Sequence, residues 1–288
     1  MEARFTTMKY FPLTADDFAH TFGVRAIGRD EKLIETTEHY RSEISIKRDL
    51  LIHTLEEYAA FAPDVLDAQR EAVKYLVPHC DHLRKGRNDL LNESLDLSIN
   101  PLLSLAMHLQ EDLVVLENNP AANYPIIAGV VCFPSGWSLP EKLGQGIVHV
   151  HAPVHDFESA LAAPTQNLLT HLKMNRPVWR MNWGVRPSSQ LDQSSRHADY
   201  LSQQQSLIDA DNAGEQCFLR VERQTLSRLP ETGNILFTIH THQSSLSELA
   251  DEQKQRLMKT LQTCPSETLR YKGLSSISTP VIAYLRNR

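Results

Sequence analysis

Three histidines, His149, His151 and His155, crowd one short apolar segment, GQGIVHVHAPVHDF, residues 144–157. A neutral imidazole offers one nitrogen lone pair to iron or zinc, while its other N–H can be held by a carbonyl or carboxylate. Alternation through Ile147, Val148, His149, Val150 and His151 has the period of a strand. It predicts His149 and His151 on one face and Val148 and Val150 on the other, with Pro153 fixing the exit and His155 on a turn. Spacing alone leaves two readings open, a metal site or a group of surface and hydrogen-bonded histidines, in a chain that holds 13 histidines. A cupin-like non-haem metal site would also want a carboxylate three or four residues further along and a later histidine after a glycine-bearing turn. Glu158 lies too far along for that pattern.

Two further segments carry polar residues where a sheet is normally apolar. In PVWRMNWGVRP, alternation puts Val178, Arg180 and Asn182 on one face and Trp179, Met181 and Trp183 on the other. In FLRVERQTLSRLPETG, Arg220, Glu222 and Gln224 alternate with Leu219, Val221 and Arg223. Charges this dense in a strand need internal pairing, an anionic ligand or an exposed face. Either a salt-bridge network or a clamp for carboxylates or phosphates satisfies that need, with Glu222 handling a proton or a cation in the second case.

The elements that must position these groups follow the hydrophobic period. Residues 1–55 mix short β-like pieces with polar turns, and positions 50–76 recur at helical spacing, divided and closed by Pro63 and Pro78, as a helical hairpin. The connector HCDHLRKGRNDLLNESLD, with His79 and His82, reads as an exposed loop. Asn100 as N-cap and Pro101 at the first helical position open a buried helix with Leu102, Leu105, Ala106, Leu109, Leu113 and Leu116 on one face, running to Asn118. Glu111 and Asp112 beside that stripe are expected to face solvent; turned inward, they become functional candidates. Beyond Pro120 the period becomes extended in YPIIAGVVCFPSGWSL, GIVHVHAPVHDF, PVWRMNWGV, QCFLRVERQTLSRL and NILFTIHTH, which predicts an antiparallel sheet. Helices are expected over SALAAPTQNLLTHLKM and LSELADEQKQRLMKTLQTC. The expectation is one α/β (α+β) domain over 1–288, its helical part (about 1–118) packed on a sheet-rich part (about 119–288).

Composition narrows the class. A chain of 288 residues and 32.7 kDa with 41% hydrophobic residues can bury a full core. A formal charge of -6 argues against general binding to nucleic acid or an anionic membrane. Cys80, Cys132, Cys217 and Cys264 form no C-x-x-C pair, which speaks against a zinc ribbon, an iron–sulfur cluster or a disulfide framework and fits a cytoplasmic protein. No apolar run reaches the roughly 18 residues of a membrane span, and the N-terminus lacks the core of a secretion signal.

Together, VHVHAPV, WRMNWGV, LRVERQTLSRLPETGNILFTIHTH and LRYKG resemble the family of haem-dependent oxidative N-demethylases, which includes the haem subunit of dimethylamine monooxygenase. The similarity is strongest from about Asn100 to Gly273. It implies a PAS-like antiparallel sheet with flanking helices enclosing haem b, with His151 as the proximal iron ligand. It also implies O2 as oxidant, a small secondary amine as substrate, NADPH electrons through a reductase partner carrying flavin and an iron–sulfur cluster, and an accompanying folate-binding subunit. Arg180, Arg220 and Arg223, with Asn182, are candidate partners of the haem propionates. Glu222 is the candidate proton acceptor, and Trp179 and Trp183 offer aromatic faces to an alkylammonium. Two departures stand out: His155 where a proline is common, and Thr241-His242 where a Thr-Tyr dipeptide is often seen. A noncatalytic haem PAS-type sensor is the alternative function.

Overall fold

Period-two alternation in three long segments is realised as the centre of one sheet. The computed structural model describes residues 8–15, 17–19, 23–96, 99–152 and 161–287. The strands are β1 (Arg25–Ala26), β2 (Ala59–Phe61), β3 (Leu83–Arg84), β4 (Arg87–Asn88), β5 (Glu93–Ser94), β6 (Asp112–Leu116), β7 (Ile126–Val130), β8 (Val178–Arg186), β9 (Phe218–Arg228) and β10 (Ile235–Ser245). Seven form an antiparallel sheet in the order β1-β8-β9-β10-β6-β7-β2, and β3–β5 form a small second sheet. The helices are α1 (Tyr40–His53), α2 (Leu55–Tyr58), α3 (Leu66–Leu76), α4 (Pro101–Ala106), α5 (Ile147–Val150), α6 (Ala162–His171), α7 (Ala198–Ser206), α8 (Ala213–Gln216), α9 (Asp251–Thr263), α10 (Ser266–Tyr271) and α11 (Ser278–Arg286). None is long and apolar enough to cross a membrane among the described residues.

Apolar side chains cover one face of the sheet at both ends. Leu113, Val115 and Leu236 pack with Ala72 and Leu76 of α3 and Leu102 and Leu105 of α4. Val185, Leu219 and Val221 pack with Leu257 and Leu261 of α9 and Val281 and Leu285 of α11. On the opposite face, Val114, Leu116, Leu226 and Ile235 lie under Leu169 of α6 and Ile147 and Val150 of α5. The rest of that second face carries Arg180, Asn182, Arg186, Arg220, Glu222 and Gln224, placed together by the β8–β9 register. Strand β1 pairs only with Val178 and Trp179, so the outer edge of β8 from Arg180 onward has no β1 partner.

Several expectations need correction. Residues 40–53 are helical, not β-like, and the 50–76 hairpin is interrupted by β2, which adds an edge strand to the main sheet. The connector after His79 is not an exposed loop throughout: it builds β3–β5 and buries His82, whose Nε2 lies 2.8 Å from the His108 carbonyl. The helix opened by Asn100 does have its cap, the side chain accepting from the Leu103 N–H at 3.1 Å, but it ends at Ala106. Residues 112–116 form β6, apolar on both faces, and a strand buried on both sides carries no alternation to distinguish it from a helix.

The corner between α4 and β6 is held by Lys47. Its fully buried ammonium donates to the carbonyls of Leu109 (3.1 Å), Gln110 (3.2 Å) and Glu111 (2.7 Å) and lies 3.0 Å from Asp112 Oδ1. Carbonyls that a continuing helix would spend on its own N–H groups are spent on Lys47 instead. Glu111 and Asp112 therefore point inward, against the expectation of solvent-facing charges. All four cysteines are buried free thiols, and burial raises each above the usual thiol range, Cys264 to about 11 and Cys217 to about 12.

Candidate active site

His151 is not on a strand. Residues Ile147–Val150 form one helical turn, with Val150 N donating to Gly146 O at 3.0 Å and His151 N to Ile147 O at 3.3 Å. Two features override the alternation read from the sequence. Gly146 lies against the preceding turn so closely that a Cβ there would sit 2.5 Å from the Ala122 carbonyl oxygen. Ile147 and Val150, three residues apart, both pack into the cluster under α6, a helical spacing. The turn separates the two histidines: His149 is exposed, while His151 lines a cleft. The shared face that a cupin-like non-haem site needs is absent, and His155 lies outside the described residues.

The His151 ring is prepared as a donor. Nδ1 lies 2.8 Å from the Ile147 carbonyl, which can only accept, so the proton sits on Nδ1 and the lone pair on Nε2. Burial is the main cause holding its pKa below the usual imidazole value, with Arg180 adding to it; both keep the ring neutral.

The cleft runs along the β8 edge and includes side chains from both faces of that strand: Arg180 and Asn182 from one, Met181 and Trp183 from the other. Leu13, Phe18 and their neighbours form a wall from the N-terminal segment, and Thr268, Tyr271 and Lys272 form another from α10 and its end. Its enclosed volume is about 220 Å3, and its mouth opens to solvent. A smaller recess, lined by Ser135, Gly184, Arg186, Arg220 and Glu222, adjoins it through Asn182 and Trp183.

Charge in this space is unbalanced. Arg180, Arg186, Arg220 and Lys272 face two carboxylates, Glu222 on the floor and exposed Asp17 at the rim, among the described residues. Arg220 is 2% exposed and donates to the Phe133 carbonyl at 2.6 Å, but its Nε and Nη1 are buried without hydrogen bonds. Burial lowers its pKa to about 10, and burial followed by the Arg186 guanidinium lowers Lys272 to about 8. Lys272 donates to the Trp183 carbonyl at 2.7 Å, with its ammonium 4.7 Å from the Trp183 ring centre. Glu222 Oε2 accepts from Asn182 Nδ2 at 3.2 Å and Gln224 Nε2 at 3.0 Å, which fixes the carboxylate in the floor. Among the described residues, the buried Arg220 donors without acceptors suit an anionic group.

Six of the eight site residues read from the sequence are thus brought together: His151, Arg180, Asn182, Trp183, Arg220 and Glu222. The other two are in neither lining: Arg223 and Trp179 are packed on the opposite face of the sheet, away from the cleft edge where Trp183 of the same face emerges. Arg223 is 1% exposed and bonds the Leu33 carbonyl at 3.2 Å and the Lys32 carbonyl, and its guanidinium carbon lies 5.2 Å from the Trp179 ring centre. Trp179 Nε1 donates to Glu31 Oε2 at 3.1 Å, and the ring is 2% exposed. Neither can line the cleft.

The sequence reading also missed residues. Arg186 extends the alternation of Arg180 and Asn182 by two further steps, and that signal was present. Tyr271 and Lys272 sit in LRYKG, a motif noted without a role, and only tertiary packing brings them to the cleft. Residues 24–282 match the family model described as haem-dependent oxidative N-demethylase, alpha subunit-like, a span that takes in His151, β8, β9 and Lys272 but not the Leu13–Phe18 wall.

Proposed function

The chain belongs to the haem-dependent oxidative N-demethylase family, alpha subunit-like, and from that premise we propose that the cleft beside β8 takes a haem whose iron is held by His151 Nε2. The observation that carries this reading is a neutral imidazole, oriented by its Nδ1 contact with Ile147, in the wall of a cleft adjoined by buried Arg220 donors that lack acceptors. The residues fit the group: haem brings two carboxylates, and Arg220 Nε and Nη1 are buried donors lacking acceptors. Arg180, Arg186 and Lys272 supply further positive charge on the same walls. When bound, haem supplies the one-electron and O2 chemistry that no protein side chain offers.

The substrate is a small secondary amine of the dimethylamine kind, oxidised at a methyl carbon to a primary amine and formaldehyde. O2 is the oxidant, and NADPH supplies two electrons through a reductase partner carrying flavin and an iron–sulfur cluster. The alpha-subunit description of the family implies a multi-subunit complex, and a folate-binding subunit would accept the one-carbon product. The chain's own contribution is to bind and deprotonate the amine. Trp183 offers an aromatic face to the alkylammonium, and Glu222, held by Asn182 and Gln224, accepts its proton so that the nitrogen lone pair becomes available.

The test is an absorption spectrum of the haem-reconstituted protein. His151→Ala is expected to abolish or scramble the Soret spectrum while far-UV circular dichroism is retained, and His149→Ala, at an exposed position, to leave it unaltered. The reverse pattern would remove His151 as the ligand. Formaldehyde release from dimethylamine in the presence of NADPH and a reductase tests the activity itself; full haem loading without formaldehyde favours the sensor.

A further inference from the structure

On the face of the sheet opposite Arg180 and Glu222, β10 presents two imidazoles, His240 and His242, two residues apart and so on one side. Glu35 reaches them from the N-terminal region. Its Oε1 accepts from Lys9 Nζ and Tyr10 OH, each at 2.6 Å, whereas Oε2 is buried with no hydrogen bond. His242 Nε2 and His240 Nε2 are likewise buried without hydrogen bonds, and His240 is 1% exposed. One donor atom from each of Glu35, His240 and His242 lies within 4.8 Å of the other two. Buried polar atoms are nearly always paired, so three converging orphans mark a place for something that bonds all of them.

The surroundings specify what that is. His240 Nδ1 lies 3.3 Å from Glu111 Oε1, and that oxygen also accepts the Glu35 backbone N–H at 2.9 Å. A carboxylate behind one ring nitrogen orients the other as a ligand, the arrangement found around metal-bound histidines. The nearby cations do not complete the cluster. Arg223 Nε is 3.7 Å from Glu35 Oε2, but its terminal nitrogens are engaged by the Lys32 and Leu33 carbonyls, and the Lys9 side chain is 69% exposed. Tyr10 packs on the His242 ring with centroids 4.8 Å apart, shielding the group from solvent.

We propose that Glu35, His240 and His242 bind a first-row divalent metal ion of the zinc type, with Glu111 orienting His240. Two imidazole nitrogens and one carboxylate oxygen suit such an ion, which tolerates mixed N/O donors and a fourth position left to water. Bound there, the ion ties β10 to Glu35 and, through its other oxygen, to Tyr10 and Lys9. The chain continues directly from Tyr10 into the Pro12–Phe18 wall of the cleft. None of the three ligands lines the cleft, and the site does not depend on the haem reading.

The test is calorimetric titration of the EDTA-stripped full chain with zinc chloride, alongside elemental analysis that counts zinc separately from iron. One equivalent of Zn2+ is expected to bind, with affinity at least about tenfold weaker in Glu35→Gln and in His242→Phe and unchanged in His151→Ala. Glu35→Gln keeps the side-chain shape and carries the comparison if His242→Phe does not fold. Crystals of the wild-type protein soaked in zinc chloride should give an anomalous peak between the three residues. Absence of uptake, uptake indifferent to both substitutions, or a peak elsewhere overturns the site, whatever the haem spectrum shows.

Discussion

Lys47 and Arg220 are both buried cations anchored near the same pair of strands, yet they end in opposite conditions. Lys47 has three carbonyls and a carboxylate around one ammonium, and Asp112 in turn accepts from the N–H groups of Cys132 (2.9 Å) and Phe133 (2.8 Å). Arg220 takes the carbonyl of that same Phe133 and then has no acceptor for Nε or Nη1. The first is a closed electrostatic account within the fold. The second is open, and it lines a recess that adjoins the cleft, where cations outnumber carboxylates among the described residues. Charge density in a strand does not distinguish structure from function; the balance of donors and acceptors after folding does.

The comparison can be broken at four points. Lys47→Met leaves Asp112 buried without its counter-ion and should cost about 3–5 kcal/mol of stability in urea denaturation. Unchanged stability would mean that the corner is held by something else. Glu222→Gln should keep the haem spectrum while lowering amine turnover about 100-fold in steady-state kinetics; intact kinetics would remove Glu222 from proton transfer. Arg220→Met is expected to be the converse of the Lys47 change. The apoprotein, relieved of unpaired buried donors, should unfold within about 1 kcal/mol of wild type, while haem affinity falls about tenfold for one lost charge-assisted bond. A large loss of stability with unchanged haem affinity would make Arg220 another Lys47.

The smallest effect concerns pH. Lys272 titrates near 8 in the folded protein, chiefly through burial, against about 10.4 for an unperturbed lysine. Between those values the unfolded chain binds more protons at this position, so its contribution to stability rises with pH as the unfolded group loses its charge. Cleft charge moves the other way: above about pH 8 the ammonium is lost, and haem affinity should decline in titrations of the apoprotein. An affinity flat from pH 7 to 10 would exclude Lys272 from contact with the ligand's acid groups.

The sequence was most legible where period and burial agree. Strands β8, β9 and β10 alternate cleanly because each face meets a different environment, and the antiparallel sheet followed from them. Asn100 and Pro101 marked the start of α4 by local chemistry alone. Its end was illegible, because the side chain that takes the carbonyls of Leu109 to Glu111 belongs to a residue more than sixty positions away. His151, expected on a strand, follows a helical turn: alternation over five residues cannot compete with a glycine pressed against a neighbouring turn. Arg223 and Trp179 show the limit of listing charged and aromatic residues by segment: Trp183 shares their face and still reaches the cleft, so tertiary packing and not parity separates them.

The buried thiols have a practical consequence. Each of the four is un-ionised at neutral pH and shielded from solvent, so an electrophile added to the wild-type chain finds no ready thiolate. A cysteine introduced on an exposed position, His149 for instance, would then be the one site open to a maleimide spin label or fluorophore, reporting on the turn beside the cleft against a silent background.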